Sequence, residues 1–464
     1  MQGVIEIPVW VAVLGGIAAA IAILDRVLAP SVRWYLRRRL NKAVERLNTR
    51  LSLRIQPFKL MRRSALIERL AHDPEVMRAV EHEIRETGMP RGIILKQVQR
   101  YAREITPSFS AIMYFGVGAR VSRWIARLLY RVRLGALDQE ALSKLDASSS
   151  VVFVMNHRSN MDYLLVTYIA STSSALSYAV GEWARIWPLS RLIRSMGAYF
   201  IRRQSRGGLY RAVLRRYVQM ATEGGVAQAI FPEGGLSRDG RLGRPKLGLL
   251  SYIVDEFDSD AALDVVFVPV GINYDRVLED RILLAADAGP AGRARFKVDI
   301  PFALRAIIGY LVGRITGRTH RFGYAAVSFG TPLSLSQFMQ ESAATDVKAL
   351  GRELSRRIGA IVPVLPTALV ASVMAAAETS LTSEEIVSRC RKMADRLEGA
   401  GAHIHVPRKN FDYAVEVGLR MLTSRGILIE DDRRFGLAIS DAALLGYYAN
   451  SIAHLLAEDG PTGA

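Results

Sequence analysis

The residues best placed to do chemistry lie in VVFVMNHRSNMDYLLV, Val151 to Val166, where His157 and Asp162 follow an apolar run with four residues between them. An imidazole oriented by a carboxylate one turn away can take a proton from a hydroxyl, a service worth roughly 10²–10⁴ in rate. A plainer reading stands beside it: Ser159 opening a helix with Asp162 three residues on is a capping pair, which explains the aspartate but not the histidine. A second stretch, GAYFIRRQSRGGLYRAVLRRY (197–217), sets Arg202 and Arg203 directly after an apolar YFI, with Arg206 close behind. Arginine forks suit a phosphate, and they equally suit a solvated basic edge before a helix. A third, FPEGGLSRDGRLGRPKLG (231–248), joins Glu233, Gly234 and Gly235 to Ser237, Arg238, Arg241, Arg244 and Lys246. Glycines admit close backbone approach and the hydroxyl and cations suit an anion, although the spacing is not that of a Walker loop; alone it reads as a flexible basic turn. In a fourth, VFVPVGINYDRVLED, Pro269 interrupts a strand-like run and suggests an edge or an irregular strand end.

The elements that must position these residues are short and alternate. VVFVM (151–155), AQAIF (227–231) and VVFVPVGI (265–272) are continuous apolar runs too short for helices, as strands buried on both faces require. Helical patterns at 206–223 and 247–257 separate them, so the expected fold class is α/β, a largely parallel sheet flanked by helices. In such sheets ligands collect beyond the carboxyl ends of the strands, and His157 and Glu233 both stand just past one. N-terminal and C-terminal regions read as helical. The expected division is an apolar segment over 1–30, a basic helical region over 31–145, the α/β domain over 146–335 and a helical region over 336–464. TGMPRG (87–92) reads as a turn, and ALRAIIGYLVGRI (303–315) as a basic amphipathic helix for a membrane surface or the core. The uncharged run 358–377 contains Pro363 and Pro366 and reads as a packed, interrupted segment rather than a membrane span.

Charge says what kind of partner to expect. A formal charge of +18 on 464 residues points to a negative one: a phosphorylated substrate, an anionic membrane or nucleic acid. Over residues 31–63, eleven Lys/Arg stand against one acid, Glu45, directly after the uncharged run 7–24. Basic residues following an apolar stretch, with none before it, fit a membrane anchor with the bulk of the chain on the cytoplasmic side better than a cleaved leader. The single cysteine, Cys390, excludes an internal disulfide and a Cys-rich zinc site, and reads as one position of an amphipathic helix.

Taken together and in this order, the four stretches resemble the blocks of the glycerophospholipid acyltransferases: His-x4-Asp, Gly-x-x-Phe-Ile-x-Arg, Glu-Gly-x-x-Ser-Arg and a Val-Pro strand. HRSNMDYLL, GAYFIRR and YDRVLE, with RYAREI (100–105) and YYANSIAHLL (447–456), are similar to the large membrane-bound glycerol-3-phosphate 1-O-acyltransferases. The resemblance implies that His157 deprotonates the sn-1 hydroxyl of glycerol 3-phosphate with Asp162 orienting it, and that the oxygen attacks an acyl-CoA or acyl-carrier-protein thioester directly. No metal or cofactor beyond that co-substrate is implied. Arg203 with Arg202, helped by Ser237 and Arg238, would hold the phosphate; Glu233 and Gly234 would shape the pocket, Lys246 would add charge, and Pro269 belongs to the block linked to the acyl donor. Leu236 stands where many relatives carry arginine, and Asn160 where many carry histidine. The implied partners are glycerol 3-phosphate, an acyl thioester and anionic membrane lipids at the cytoplasmic face, and not nucleic acid. A dihydroxyacetone-phosphate acyltransferase shares nearly the same blocks. The rival of another class is a basic membrane- or nucleic-acid-binding protein, which would spread its cations along a surface stripe with aromatic partners.

Overall fold

The computed structural model describes residues 53–146, 149–171, 174–181, 189–202, 207–255, 257, 263–288, 321–341 and 346–457. The architecture is that of the unit Ile55–Ala464. The apolar run 7–24, most of the basic run 31–63, the helix expected at 303–315, and Arg203 and Arg206 lie outside the described residues.

Eight strands form the main sheet: β1 (Arg131–Leu137), β2 (Ser150–Met155), β3 (Ser177–Val180), β4 (Tyr199–Phe200), β5 (Gln228–Ile230), β6 (Val265–Tyr274), β7 (Tyr324–Phe329) and β8 (Leu333–Ser334). Their order is β1-β7-β6-β2-β5-β3-β4, with β8 also on β6. Neighbours are parallel except where β6 meets β7 and β8. Every residue of β2 and of β6 is buried, which is why both read as unbroken apolar runs. On one face Val152, Val154, Ile230 and Phe267 share a core with Leu70 and Val98 from the helices Arg63–Ala71 and Arg91–Ile105, and with Val213 and Leu354 from the helices Gly208–Glu223 and Val347–Ala360. Helices from before and after the sheet in sequence thus complete one hydrophobic layer. On the other face, Phe153 meets Phe329 edge-on at 6.3 Å.

Three features differ from the sequence reading. β1 falls inside the segment expected to be helical and pairs in parallel with β7, from Arg131 opposite Tyr324 onward. Its largely exposed, arginine-interrupted surface hides the strand from a hydrophobic pattern. The C-terminal region is not wholly helical: β9 (Leu381–Thr382), β10 (Leu428–Asp431) and β11 (Arg434–Leu437) form a small antiparallel sheet. The turn between β10 and β11 holds Asp432 and Arg433 at φ 44° and 60°, the backbone of a tight hairpin turn without its usual glycine. Pro269 is neither at an edge nor at a strand end. It lies mid-way along β6, opposite Val154, and its carbonyl accepts from Gly330 N–H at 2.9 Å. That side of β6 is where pairing to β7 stops at Val270 and pairing to β8 starts at Phe267, so the missing N–H faces a break in the ladder.

The uncharged run 358–377 is interrupted, as its prolines require: Val347–Ala360 ends before Pro363, and Pro366 opens the buried helix Pro366–Ala375. Among the described residues no helix is long and apolar enough to cross a membrane. Cys390 is buried in the helix Ser383–Gly399, where burial pushes its thiol up to about 12, away from any reactive thiolate.

Candidate active site

β2 and β5 are adjacent and parallel, so their carboxyl ends deliver His157 and Glu233 to the same edge of the sheet. β2 does not stop cleanly at Met155. The Asn156 side chain donates to Ile272 O (2.9 Å) and accepts from Ile272 N–H (2.8 Å), continuing the ladder to β6 for one more residue before the chain turns away. His157 leaves the sheet at that fixed point.

The histidine is buried and its ring is fixed from two directions. Nδ1 lies 2.9 Å from Asp162 Oδ2, and Phe231, the residue after β5, stacks on the ring with centroids 4.0 Å apart. Asp162 sits in the first turn of the helix Met161–Ala170 and is fully buried. Its Oδ2 also accepts from Arg158 N–H (2.7 Å) and Ser159 N–H (3.1 Å), and Oδ1 accepts from the Tyr274 hydroxyl (2.6 Å). Burial, and behind it the neighbouring Asp162 charge, holds the Tyr274 phenol well above its ordinary pKa. A carboxylate at Nδ1 selects the tautomer with the proton there and leaves Nε2 as the basic nitrogen. Among the described residues nothing is bonded to Nε2.

Two more carboxyls hold the loop without touching the ring. Glu233 Oε1 accepts from His157 N–H and Oε2 from Gly243 N–H, each at 3.1 Å. Burial pushes this carboxyl up to about 7, although the rest of the side chain keeps some contact with solvent. Glu279 accepts from Ser159 Oγ (2.7 Å), Asn160 N–H (3.2 Å) and Asn160 Nδ2 (3.1 Å), and burial raises its pKa as well. Asn160 thus has a structural partner here.

The third stretch folds over this edge. Gly234 takes φ +65°, and a Cβ there would lie 2.8 Å from Lys246 Cδ, so only glycine lets the lysine stem cross the loop. Ser237 N–H donates to His157 O (2.9 Å), while its hydroxyl donates to Arg241 O (2.7 Å). Arg238, Arg241, Arg244 and Lys246 stand exposed around it. The fold therefore brings His157, Asp162, Glu233, Gly234, Ser237, Arg238 and Lys246 to one edge. Arg202 is differently engaged: its fork closes on Glu104 of the helix Arg91–Ile105 at 2.8 and 2.6 Å, between the rings of Tyr101 and Tyr210. Pro269 lies in the strand next to β2, opposite Val154, inside the sheet rather than at the site edge.

Beside the histidine, a cavity of about 300 Å³ runs between the helices Ala119–Leu129 and Met161–Ala170. Asn160, Tyr163 and Glu279 line the end toward the catalytic loop, and Gly118, Tyr178, Ile193 and Met196 line the rest. Tyr163 bridges the two spaces, its ring edge-on to His157 at 5.5 Å and 5.6 Å from Tyr178. The arrangement offers a base, a basic loop bonded to its backbone, and an apolar slot that Tyr163 links to its ring.

Asn156, Tyr274 and Glu279 escaped the sequence reading as site residues. The last two lie within YDRVLE, a stretch singled out without a role for either, and their partners are over a hundred residues away in sequence.

Residues 137–273 match the acyltransferase family model, and residues 311–460 match the model for the glycerol-3-phosphate acyltransferase C-terminal region. The chain belongs to the glycerol-3-phosphate acyltransferase family. Relatives of that family, each named glycerol-3-phosphate acyltransferase, include one from Pseudomonas putida KT2440, 26% identical over 426 residues that cover 85% of this chain and 49% of that protein. One from Actinobacillus succinogenes is 27% identical over 430 residues, covering 86% and 50%. One from Ectopseudomonas mendocina is 31% identical over 284 residues, covering 60% and 32%. The chain spans about half the length of the first of these glycerol-3-phosphate acyltransferases. A crystal structure of a 1-acyl-sn-glycerophosphate acyltransferase from Thermotoga maritima overlays 56% of this chain and 82% of its own at 18% identity, with a TM-score of 0.29, too loose a fit to transfer any residue.

Proposed function

We propose that the chain is a glycerol-3-phosphate 1-O-acyltransferase that makes lysophosphatidate from glycerol 3-phosphate and a long-chain acyl thioester, the first acylation of phospholipid synthesis. The observation that carries the reading is the buried His157, held at Nδ1 by Asp162 and bonded at Nε2 to none of the described residues, with Tyr163 linking its ring to an apolar cavity. The Nε2 lone pair takes the proton of the sn-1 hydroxyl as its oxygen attacks the thioester carbonyl. The tetrahedral intermediate collapses, the carbon–sulfur bond breaks, and the imidazolium returns its proton to the leaving thiolate. Asp162 supports the imidazolium without taking its proton. No step calls for a metal or a further cofactor.

The exposed cations at Arg238, Arg241, Arg244 and Lys246 are the groups we assign to the substrate phosphate, with Arg203 as the further candidate from the second stretch. Arg202 contributes only after leaving Glu104, so we give it a supporting part. The acyl chain enters the cavity lined by Tyr163, Tyr178 and Met196, and Pro269 keeps β6 in register beneath the donor. The names of the relatives favour glycerol 3-phosphate over dihydroxyacetone phosphate. The buried His–Asp pair, which a purely basic binding surface has no use for, favours an enzyme. We also propose that the protein works at the cytoplasmic face of a membrane, with the basic run 31–63 set against anionic lipid.

The test is conversion of labelled glycerol 3-phosphate by the detergent-purified chain, offered palmitoyl-CoA and, separately, palmitoyl-carrier protein. The expected result is labelled lysophosphatidate from the wild type and a fall of at least about 100-fold in a folded His157→Ala variant. Equal rates from both proteins, or no product with either donor, would overturn the assignment.

A further inference from the structure

The cavity beside His157 is lined mainly by apolar side chains, and among the described residues that line it Glu279 is the one with a charged group. Glu279 is itself buried. A carboxyl withdrawn from water costs free energy unless donors replace the water, so its place at the end of an apolar slot asks for a purpose. Holding the catalytic loop is one. Oε1 accepts from Asn160 N–H and Asn160 Nδ2, and Oε2 accepts from Ser159 Oγ. Met161 N–H occupies the Ser159 oxygen as acceptor (3.1 Å), which leaves the hydroxyl proton for Glu279.

The loop does not use the whole carboxyl. An ionised carboxyl offers about four acceptor sites, two on each oxygen. Among the described residues, donors fill both sites of Oε1 and one of Oε2, so Oε2 keeps a site on a side chain that borders the cavity. Burial raises the pKa of this carboxyl, and the three bonds oppose the rise. The other two carboxyls of the site are turned elsewhere. Asp162 is committed to the imidazole, to two N–H groups of its own loop and to Tyr274, and Glu233 is tied to the third stretch through Gly243 N–H. Glu279 is the carboxyl on the cavity side of the histidine.

We propose that Glu279 selects the acceptor substrate at its second carbon: the remaining site on Oε2 takes a hydrogen bond from the sn-2 hydroxyl of glycerol 3-phosphate while His157 faces the sn-1 hydroxyl. The proposal deepens the acyl-transfer reading and rests on it. A hydroxyl on the carbon next to the reacting one is a donor, and an acceptor-only group at the end of the slot suits it. A ketone at that carbon, as in dihydroxyacetone phosphate, brings lone pairs toward a carboxylate and has no proton to give. An acceptor with no oxygen there leaves the Oε2 site unfilled. A buried group left without its partner is the arrangement by which a site rejects a near-identical substrate.

The test compares three acceptors on the full-length chain with palmitoyl-CoA: glycerol 3-phosphate, dihydroxyacetone phosphate and 1,3-propanediol monophosphate, which lacks the middle oxygen. The wild type is expected to favour glycerol 3-phosphate over each of the others by at least about 10-fold in kcat/KM, the worth of one hydrogen bond to a charged group. In Glu279→Gln the amide oxygen stays with the two donors of Asn160 and the amide nitrogen takes the place of Oε2, presenting a donor. The ratio of glycerol 3-phosphate to dihydroxyacetone phosphate is then expected to fall at least about 10-fold, whatever common loss the loosened loop brings. Equal losses on all three acceptors in a folded variant would overturn the proposal, because Glu279 would then serve the loop alone. A wild type that uses 1,3-propanediol monophosphate within threefold of glycerol 3-phosphate would overturn it too, and that comparison needs no variant to fold. Calorimetric titration of the same three phosphates without an acyl donor reads the preference without turnover. A chain that binds with the expected preference and transfers no acyl group overturns the acyl-transfer reading and keeps the role of Glu279; one that transfers without preference does the reverse.

Discussion

Three carboxyls surround one histidine, and each acts differently because of what it touches. Asp162 meets the ring; Glu233 holds the backbone N–H of His157; Glu279 holds the two residues that follow. Removing water from a carboxyl disfavours its charge unless donors replace the water. Glu233 has two backbone donors, and burial still outweighs them, leaving it at about 7. An unfolded glutamate titrates at about 4.3. Between those values the folded chain holds a proton that the unfolded chain has lost, so the stability linked to Glu233 is present at low pH and is lost as pH rises through about 7. Glu233→Gln removes that titration. Urea unfolding at about pH 5 and about pH 8 should show the wild type losing more stability between the two than the variant. Parallel losses would mean that the carboxyl is not perturbed. The histidine and Asp162 were legible in sequence because they lie five positions apart. Glu279 and Tyr274 were not, because the fold alone brings them to Asp162 and its loop.

At the scale of elements, the strands that carry the site were legible and the peripheral ones were not. β2, β5 and β6 are buried on both faces and leave unbroken apolar runs, whereas β1 is an edge strand broken by arginines, and the β10–β11 turn lacks the glycine that would mark a hairpin. The junction of β2 with the catalytic loop has its own device. Asn156 gives its side-chain amide to Ile272 in place of a backbone pair, so β2 stays tied to β6 up to the residue before His157. Asn156→Leu keeps the volume and removes both bonds, leaving a buried N–H and a buried carbonyl of Ile272 without partners at about 1–3 kcal/mol each. The urea midpoint should fall accordingly with the slope unchanged, and the turnover of the folded fraction should fall too, as His157 loses its fixed exit from the sheet. An unchanged midpoint would show that the strand pairing holds without the side chain.

At the scale of the molecule, the C-terminal region is bound into the active-site edge rather than appended to the sheet. Asn450 Nδ2 donates to Asp239 O (2.9 Å), and the Tyr448 hydroxyl meets Val277 N–H (3.2 Å) and the Arg425–Asp280 ion pair. Arg158, beside the histidine, is buried over the ring of Tyr447 and donates to the Gly240 carbonyl. Gly240 lies in this contact, against the backbone of Tyr447. It takes φ +88°, and a Cβ there would stand 1.9 Å from the Tyr447 carbonyl oxygen, a backbone atom that cannot swing aside. Gly240→Ala must therefore displace either the third stretch or the helix Ala442–Asn450, and either movement unseats Arg158. The expected outcome is one shift in two measurements: a melting temperature lowered by several degrees, as about 1–3 kcal/mol of overpacking implies, and at least a tenfold loss of acyl transfer. Limited proteolysis should cut the C-terminal region of the variant first. If that region is released while the remaining chain keeps its full rate, the active site does not need it, and the contacts of Tyr447 and Tyr448 serve stability alone.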